Sequence, residues 1–155
     1  MYDENIMKLA LTISHLSKDP TTKVGCVITN QDNEVLSVGY NKIKDYIPIK
    51  DIDYINLNKT IKKYAFLHAE IMALSRLKET TEELSIYITH PSCINCAVDY
   101  LLNSNYIFKN VYYINRGSDA FMQRYHVQDA LDLMVYKKVN IEAIEIWNID
   151  IDGEN

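Results

Sequence analysis

The sequence predicts an α/β fold, a three-layer α/β/α sandwich with a mixed five-stranded sheet. Three observations lead there. Two strand-like runs, residues 23–29 and 34–40, flank the turn cluster Asn30-Gln31-Asp32-Asn33 and pair as an antiparallel hairpin. From residue 65 onward, helical and strand-like runs alternate, the order that builds a sheet with helices on both faces. At 155 residues the chain forms one domain, 1–155, long enough to bury a real core.

The elements follow in order. Residues 4–17 carry Ile6, Met7, Leu9, Ala10, Ile13 and Leu16 at helical period, with His15 as a capping or surface residue near the end. Residues 17–22 form a turn in which Pro20 stops any helix. In the strand 23–29, Cys26 reads as a buried small hydrophobe. The second strand exits through Gly39-Tyr40-Asn41, leaving an amide that suits either a turn or a sugar hydroxyl. Residues 42–64 mix Ile, Lys, Asp and Tyr without a period, as expected of a lid, a binding loop or an oligomer contact. A helix over 65–78, a polar link over 79–83 and a strand over 84–89 come next. Helix 97–103, strand 107–115, helix 119–137 and strand 141–147 complete the pattern, with no repeat or low-complexity tract.

Hydrophobic residues make up 48% of the chain and charged residues 24%, ordinary for a globular protein. A formal net charge of −5 argues against a polynucleotide partner. It leaves room for a mononucleotide, whose phosphate needs only two or three placed cations, and Arg76, Arg116 and Arg124 are the only arginines. Three cysteines do not make a disulfide framework. The N-terminus is acidic and no apolar run approaches membrane-spanning length, so a soluble, cytoplasmic protein with no membrane partner is expected.

The chemistry concentrates in Leu67-His68-Ala69-Glu70 and Pro91-Ser92-Cys93-Ile94-Asn95-Cys96. One imidazole and two thiols suit a tetrahedral zinc ion, and three protein ligands leave a fourth position open for catalysis. Zinc lowers the pKa of a bound water to about 7, and Glu70 is then the acid–base group rather than a ligand. On a regular helix, residues i and i+2 do not share a face. His68 and Glu70 therefore converge only on a site beyond a helix N-terminus. Cys93 and Cys96 likewise enter a helix, and two such N-termini favour thiolates. A closed structural site with His90 or Cys26 as fourth ligand, or a Cys-x-x-Cys redox pair, is the competing reading.

On these residues the chain resembles the deoxycytidylate (dCMP) deaminase family of the cytidine deaminase-like superfamily, viral-type members included, over nearly its whole length. Ser17-Lys18-Asp19-Pro20 through Lys23-Val24-Gly25-Cys26-Val27-Ile28 is similar to the family's first loop and strand. Gly39-Tyr40-Asn41 resembles the start of its Gly-Tyr-Asn-Gly motif, and residues 121–141 its viral-type helix. The resemblance implies hydrolysis of dCMP to dUMP and ammonia, supplying thymidylate synthesis, with one zinc per chain on His68, Cys93 and Cys96. It implies Glu70 as proton shuttle, Asn41 on the nucleoside and the Ala69 carbonyl on the cytosine amino group. Lys23, Arg116 and Arg124 are candidates for the phosphate from charge and position.

Two departures from the family pattern stand out. Ser92 separates Pro91 from the first thiol, and Lys42 stands where the motif has its second glycine. The lysine suggests an enzyme without dCTP activation and dTTP inhibition, or with another effector mode. The family often forms hexamers, so a homo-oligomer is expected, with residues 40–64 and 121–136 as contacts. Cytidine, 5-substituted dCMP and dCTP are alternative substrates, while acidity and Gly39-Tyr40-Asn41 disfavour transfer RNA. A non-catalytic zinc-stabilised binding protein has no need of Glu70.

Overall fold

A computed structural model of the chain describes residues 1–149, the side chain of Ile49 excepted. Helix α1 (Glu4–Ser14) is capped by Asp3, whose carboxylate accepts from the Asn5 N–H. Strands β1 (Gly25–Asn30) and β2 (Val35–Tyr40) form the expected antiparallel hairpin. Every residue of β1 is buried, because both of its faces are covered. Cys26 and Ile28 point to one core and Val27 to the other, the period-two alternation of a central strand.

Residues 42–64 are more ordered than their aperiodic sequence suggests. A two-residue strand β3 (Lys42–Ile43) leads into helices α2 (Ile52–Leu57) and α3 (Lys59–Ala65), and β4 (Phe66–Leu67) returns to pair with β3. The Lys44 N–H donates to the Ala65 carbonyl at 2.9 Å, closing the excursion at its base. Ile43, Ile55, Ala65 and Phe66 form a small core of their own. This corrects the helix expected over 65–78. Phe66 and Leu67 are drawn into strand pairing, so helix α4 (Ala69–Arg76) begins only after His68.

Strand β5 (Glu83–Ile88) runs antiparallel to β1. Helix α5 (Ile94–Val98) starts three residues earlier than expected, at the thiol motif, and widens into a π-helical turn over Asp99–Asn103. Strand β6 (Ile107–Ile114) is parallel to β5. The single helix expected over 119–137 is two, α6 (Asp119–Arg124) and α7 (Val127–Tyr136), broken where His126 turns left-handed at φ 50°. Strand β7 (Asn140–Ile144), parallel to β6, ends three residues short of the expected 147, and residues 146–148 form a 3₁₀ turn.

The sheet order is β2-β1-β5-β6-β7, mixed and five-stranded as predicted. One face packs α1 through Ile6, Met7 and Ala10 against Val27, Tyr87 and Tyr112. The other packs α4, α5 and α7 through Ala73, Ala97 and Met134 against Ile28, Ile86 and Val111. Among the described residues, no helix is long and apolar enough to cross a membrane. Residues 150–155, the end of the expected single domain, lie outside the described residues.

Two glycines set the layer spacing by having no side chain. A Cβ on Gly25 would lie 2.0 Å from the Ala10 carbonyl oxygen of α1, and one on Gly39 would lie 2.3 Å from that of Ala69 and 2.6 Å from the Ala73 nitrogen. All three are backbone atoms of the packed helices α1 and α4 and cannot yield locally. Gly39→Ala is therefore expected to destabilise the fold by about 1–3 kcal/mol through overpacking, measured as a lower urea midpoint. An unchanged midpoint would contradict this account of how α4 sits on the sheet.

Candidate functional site

The start of β1, the end of β2 and the end of β5 meet at one rim of the sheet, since Gly25 pairs with Tyr40 and Cys26 with Ile88. His68 occupies the N-cap of α4 in extended backbone, φ −77° and ψ 151°, and Cys93 occupies the N-cap of α5, φ −75° and ψ 164°. An extended cap residue directs its side chain back over the amino end of its helix. The two caps meet there. His68 Nδ1 lies 3.2 Å from Cys96 Sγ and 3.3 Å from Cys93 Sγ, and all three ligand atoms fall within 4.8 Å of one another. Tetrahedral zinc bonds would set such atoms roughly 3.5–3.8 Å apart, so the donor set fits the ion. Among the described residues, neither Cys26 nor His90 joins the group, so the donor set is three-membered.

The electrostatics suit a cation. Cys93 is held well below the ordinary thiol range, first by its hydrogen bond with Cys96 and then by His68, while Cys96 is pushed up by the same bond and by burial. Burial alone would lower His68, but the Cys93 thiolate and Glu70 outweigh it and raise it. Glu70, on the first turn of α4, is 4% exposed. Its pKa is raised, first by burial and then by the Cys93 charge, against the opposing effects of His68, its own N–H and the Ser92 hydroxyl. Ser92 in turn accepts from the Tyr100 hydroxyl at 3.0 Å. The serine that departs from the family pattern thus lies close enough to influence the carboxylate.

A cavity of about 230 Å³ opens over Glu70, His68, Ala69 and Cys93. A second cavity touches His68, Cys93 and Cys96 but not Glu70, so the first is the side on which carboxylate and ligands act together. Aromatic rings line one wall. His90 and Phe121 centroids are 5.8 Å apart, Phe121 and Tyr125 4.8 Å, and Tyr125 and His68 5.7 Å, the rings tilted or edge-on to one another along the cavity.

Asn41 also lines the cavity, with its amide largely committed. Its Oδ1 accepts from the Val24 N–H at 2.8 Å and its Nδ2 donates to the Thr22 carbonyl at 2.8 Å. Of the three phosphate candidates, Arg124 alone lines the cavity. Lys23 donates to the Ser17 carbonyl and Arg116 to the Thr89 carbonyl, each at 2.7 Å. Lys42 pairs with Asp45 at 2.7 Å, away from this wall. Sequence reasoning missed Lys59 and Lys62 of α3, because their segment has no period, and it took Asp19 for a turn residue. Asp19 is 1% exposed and bonds Lys62 Nζ at 3.0 and 3.1 Å.

The family model described as the cytidine and deoxycytidylate deaminase zinc-binding region matches residues 1–114. The chain belongs to that family. A probable deoxycytidylate deaminase of Caenorhabditis elegans is 33% identical over 121 residues, 76% of this chain and 60% of that protein. The deoxycytidylate deaminase of Homo sapiens is 30% identical over 103 residues, 62% of this chain and 56% of that protein. The chain spans about three-fifths of the length of the curated relatives it matches. Among solved structures, the dCMP deaminase of cyanophage S-TIM5 in complex with dCMP and dUMP shares the fold, with a TM-score of 0.65 at 21% identity over 91% of this chain and 95% of that one. Acinetobacter baumannii RibD shares it at 0.60, with 19% identity over 90% of this chain and 34% of that one.

Within this deaminase-family site, His90 offers a test of the cavity's polarity. Burial, aided by the Arg116 charge, lowers its pKa to about 3. The unfolded value is near 6.5, so the folded imidazole stays neutral where the unfolded one takes a proton. Its contribution to stability is complete above pH 6.5 and declines as pH falls towards 3. The ring signal of His90 in NMR, assigned through His90→Gln, is expected to remain that of neutral imidazole from pH 8 to pH 5. A midpoint near 6.5 would contradict the burial argument.

Proposed function

We propose that this chain is a zinc-dependent hydrolase that deaminates dCMP to dUMP and ammonia. The observation that carries the reading is the buried Glu70 carboxylate beside His68, Cys93 and Cys96, on the one cavity that all but Cys96 line. Zinc, when bound by the imidazole and two thiolates, supplies Lewis-acid activation of water. The protein's own groups do the rest.

Glu70 takes a proton as water adds to C4 of the cytosine, and delivers it to N3. It carries the second proton to the exocyclic nitrogen, so that the C4–N4 bond breaks, ammonia leaves and C4 becomes a carbonyl. A carboxylate whose pKa is raised by burial is suited to both halves of this exchange, because it holds a proton long enough to pass it on. The Ala69 carbonyl oxygen packs against Gly39 of β2 within the α4 ladder, so no contact with the base is assigned to it. Asn41 retains one Oδ1 lone pair beyond its bond to Val24, and accepts from a sugar hydroxyl with it. The ring row from His90 to Tyr125 gives the base an apolar wall. Tyr46, Tyr54, Leu57 and Tyr64, exposed on the 42–64 excursion, support self-association into a homo-oligomer.

The test replaces Glu70 without disturbing the ligands. In zinc-loaded Glu70→Gln, dCMP turnover is expected to fall by about 10²–10⁴-fold while zinc stays at one per chain by elemental analysis. Retained turnover would overturn the acid–base role, and lost zinc would show Glu70 to be part of the metal site instead.

A further inference from the structure

The cavity has a charged end that the deamination chemistry does not use. Lys59 and Lys62 reach it from α3 and Arg124 from α6, and all three line the same cavity as Glu70. Lys62 and Asp19 are both buried, and their charges cancel across contacts of 3.0 and 3.1 Å. The Thr21 hydroxyl accepts a further bond from Lys62, and Asp19 also accepts from the N–H groups of Thr21 and Thr22. A buried pair satisfied from so many sides fixes its two segments relative to each other, because separating it would strand a charge out of water.

Lys59 and Arg124 are different. Among the described residues, neither has a carboxylate within ion-pairing distance. Both positive charges reach Lys62, whose pKa is lowered first by burial, against the pull of Asp19, and then by Lys59 and Arg124. A chain of net charge −5 thus directs two unneutralised cations into one cavity. Lys23 and Arg116, the other candidates, spend donors on backbone carbonyls.

We propose that α3 confers selectivity for a 5′-monophosphate: Lys59 and Arg124 bind the phosphate dianion, and the Lys62–Asp19 pair positions Lys59 to do so. An ammonium and a planar guanidinium suit such a dianion, the guanidinium by paired donors. This deepens the deaminase reading and rests on it. Lys62 is a positioning residue, since its charge is already matched.

The experiment compares kcat/KM for dCMP and deoxycytidine on the zinc-loaded full chain, with dUMP and deoxyuridine binding followed by calorimetry. Lys59→Ala and Arg124→Ala should each lower the dCMP-to-deoxycytidine ratio at least tenfold, mainly through KM. Each should weaken dUMP binding by a similar factor. Lys62→Met should lower the ratio too, and Lys62→Arg should restore it, which a purely structural role would not require. A ratio unmoved by Lys59→Ala and Arg124→Ala overturns the inference and leaves the deaminase reading standing. If the wild type turns over neither compound, the deaminase reading fails. Phosphate-dependent dUMP binding lost in both variants would then sustain the clamp, and its absence or persistence in them would overturn it.

Discussion

Two helices begin at the same point in space, and the site depends on that coincidence. His68 and Cys93 are both N-cap residues in extended backbone, so each directs its side chain over the amino end of its own helix. Because β5 leads to Cys93 and β4 leads to His68, the caps arrive from different parts of the fold. Cys96 follows within the first turn of α5, and its N–H donates to Cys93 Sγ at 3.3 Å. Peptide N–H groups at helix starts favour negative charge, which is what two thiolates and a carboxylate bring. The geometry also resolves how His68 and Glu70, two apart, reach one cavity. Only the second of them is on regular helix.

The spacing of the layers protects this arrangement. Gly39 lets the Ala69 and Ala73 backbone lie directly on β2, so α4 cannot drift from the rim where its cap must sit. On the other side, the break between α6 and α7 frees the Tyr125 carbonyl, which accepts from the Ile94 N–H at 3.0 Å. That bond fastens the ring row to the first turn of α5. A continuous helix over 119–137 would have kept the carbonyl within its own ladder. The left-handed His126 is the local cost of the wall.

The five strands of the main sheet and the cluster of His68, Cys93 and Cys96 were legible because the information is local. Cys93 and Cys96 lie in one turn, His68 and Glu70 in another, and each strand is short, apolar and bounded by turn residues. The excursion over 42–64 was not legible, since its apolar residues serve a small private core rather than a face of the main one. Lys62 was hidden with it: nothing in a run of lysines and isoleucines marks the one lysine that is buried. Asp19 looked like part of a turn and is one, yet it also anchors α3 from 43 residues away. Ser92 faces Glu70 only because the two segments meet in the fold, which no local pattern in the sequence could show. Lys23 and Arg116 show the limit of choosing phosphate ligands by charge, because a cation near a cavity in sequence can spend its donors elsewhere.

The most direct test of the account is ammonia release from zinc-replete protein given cytidine, deoxycytidine, CMP, dCMP, 5-methyl-dCMP and dCTP in turn. The account predicts turnover of dCMP and its 5-substituted form well above that of deoxycytidine and of every other compound, with zinc bound at one per chain. No turnover of any of them by zinc-loaded protein would contradict it, and would leave the three ligands as a structural metal centre.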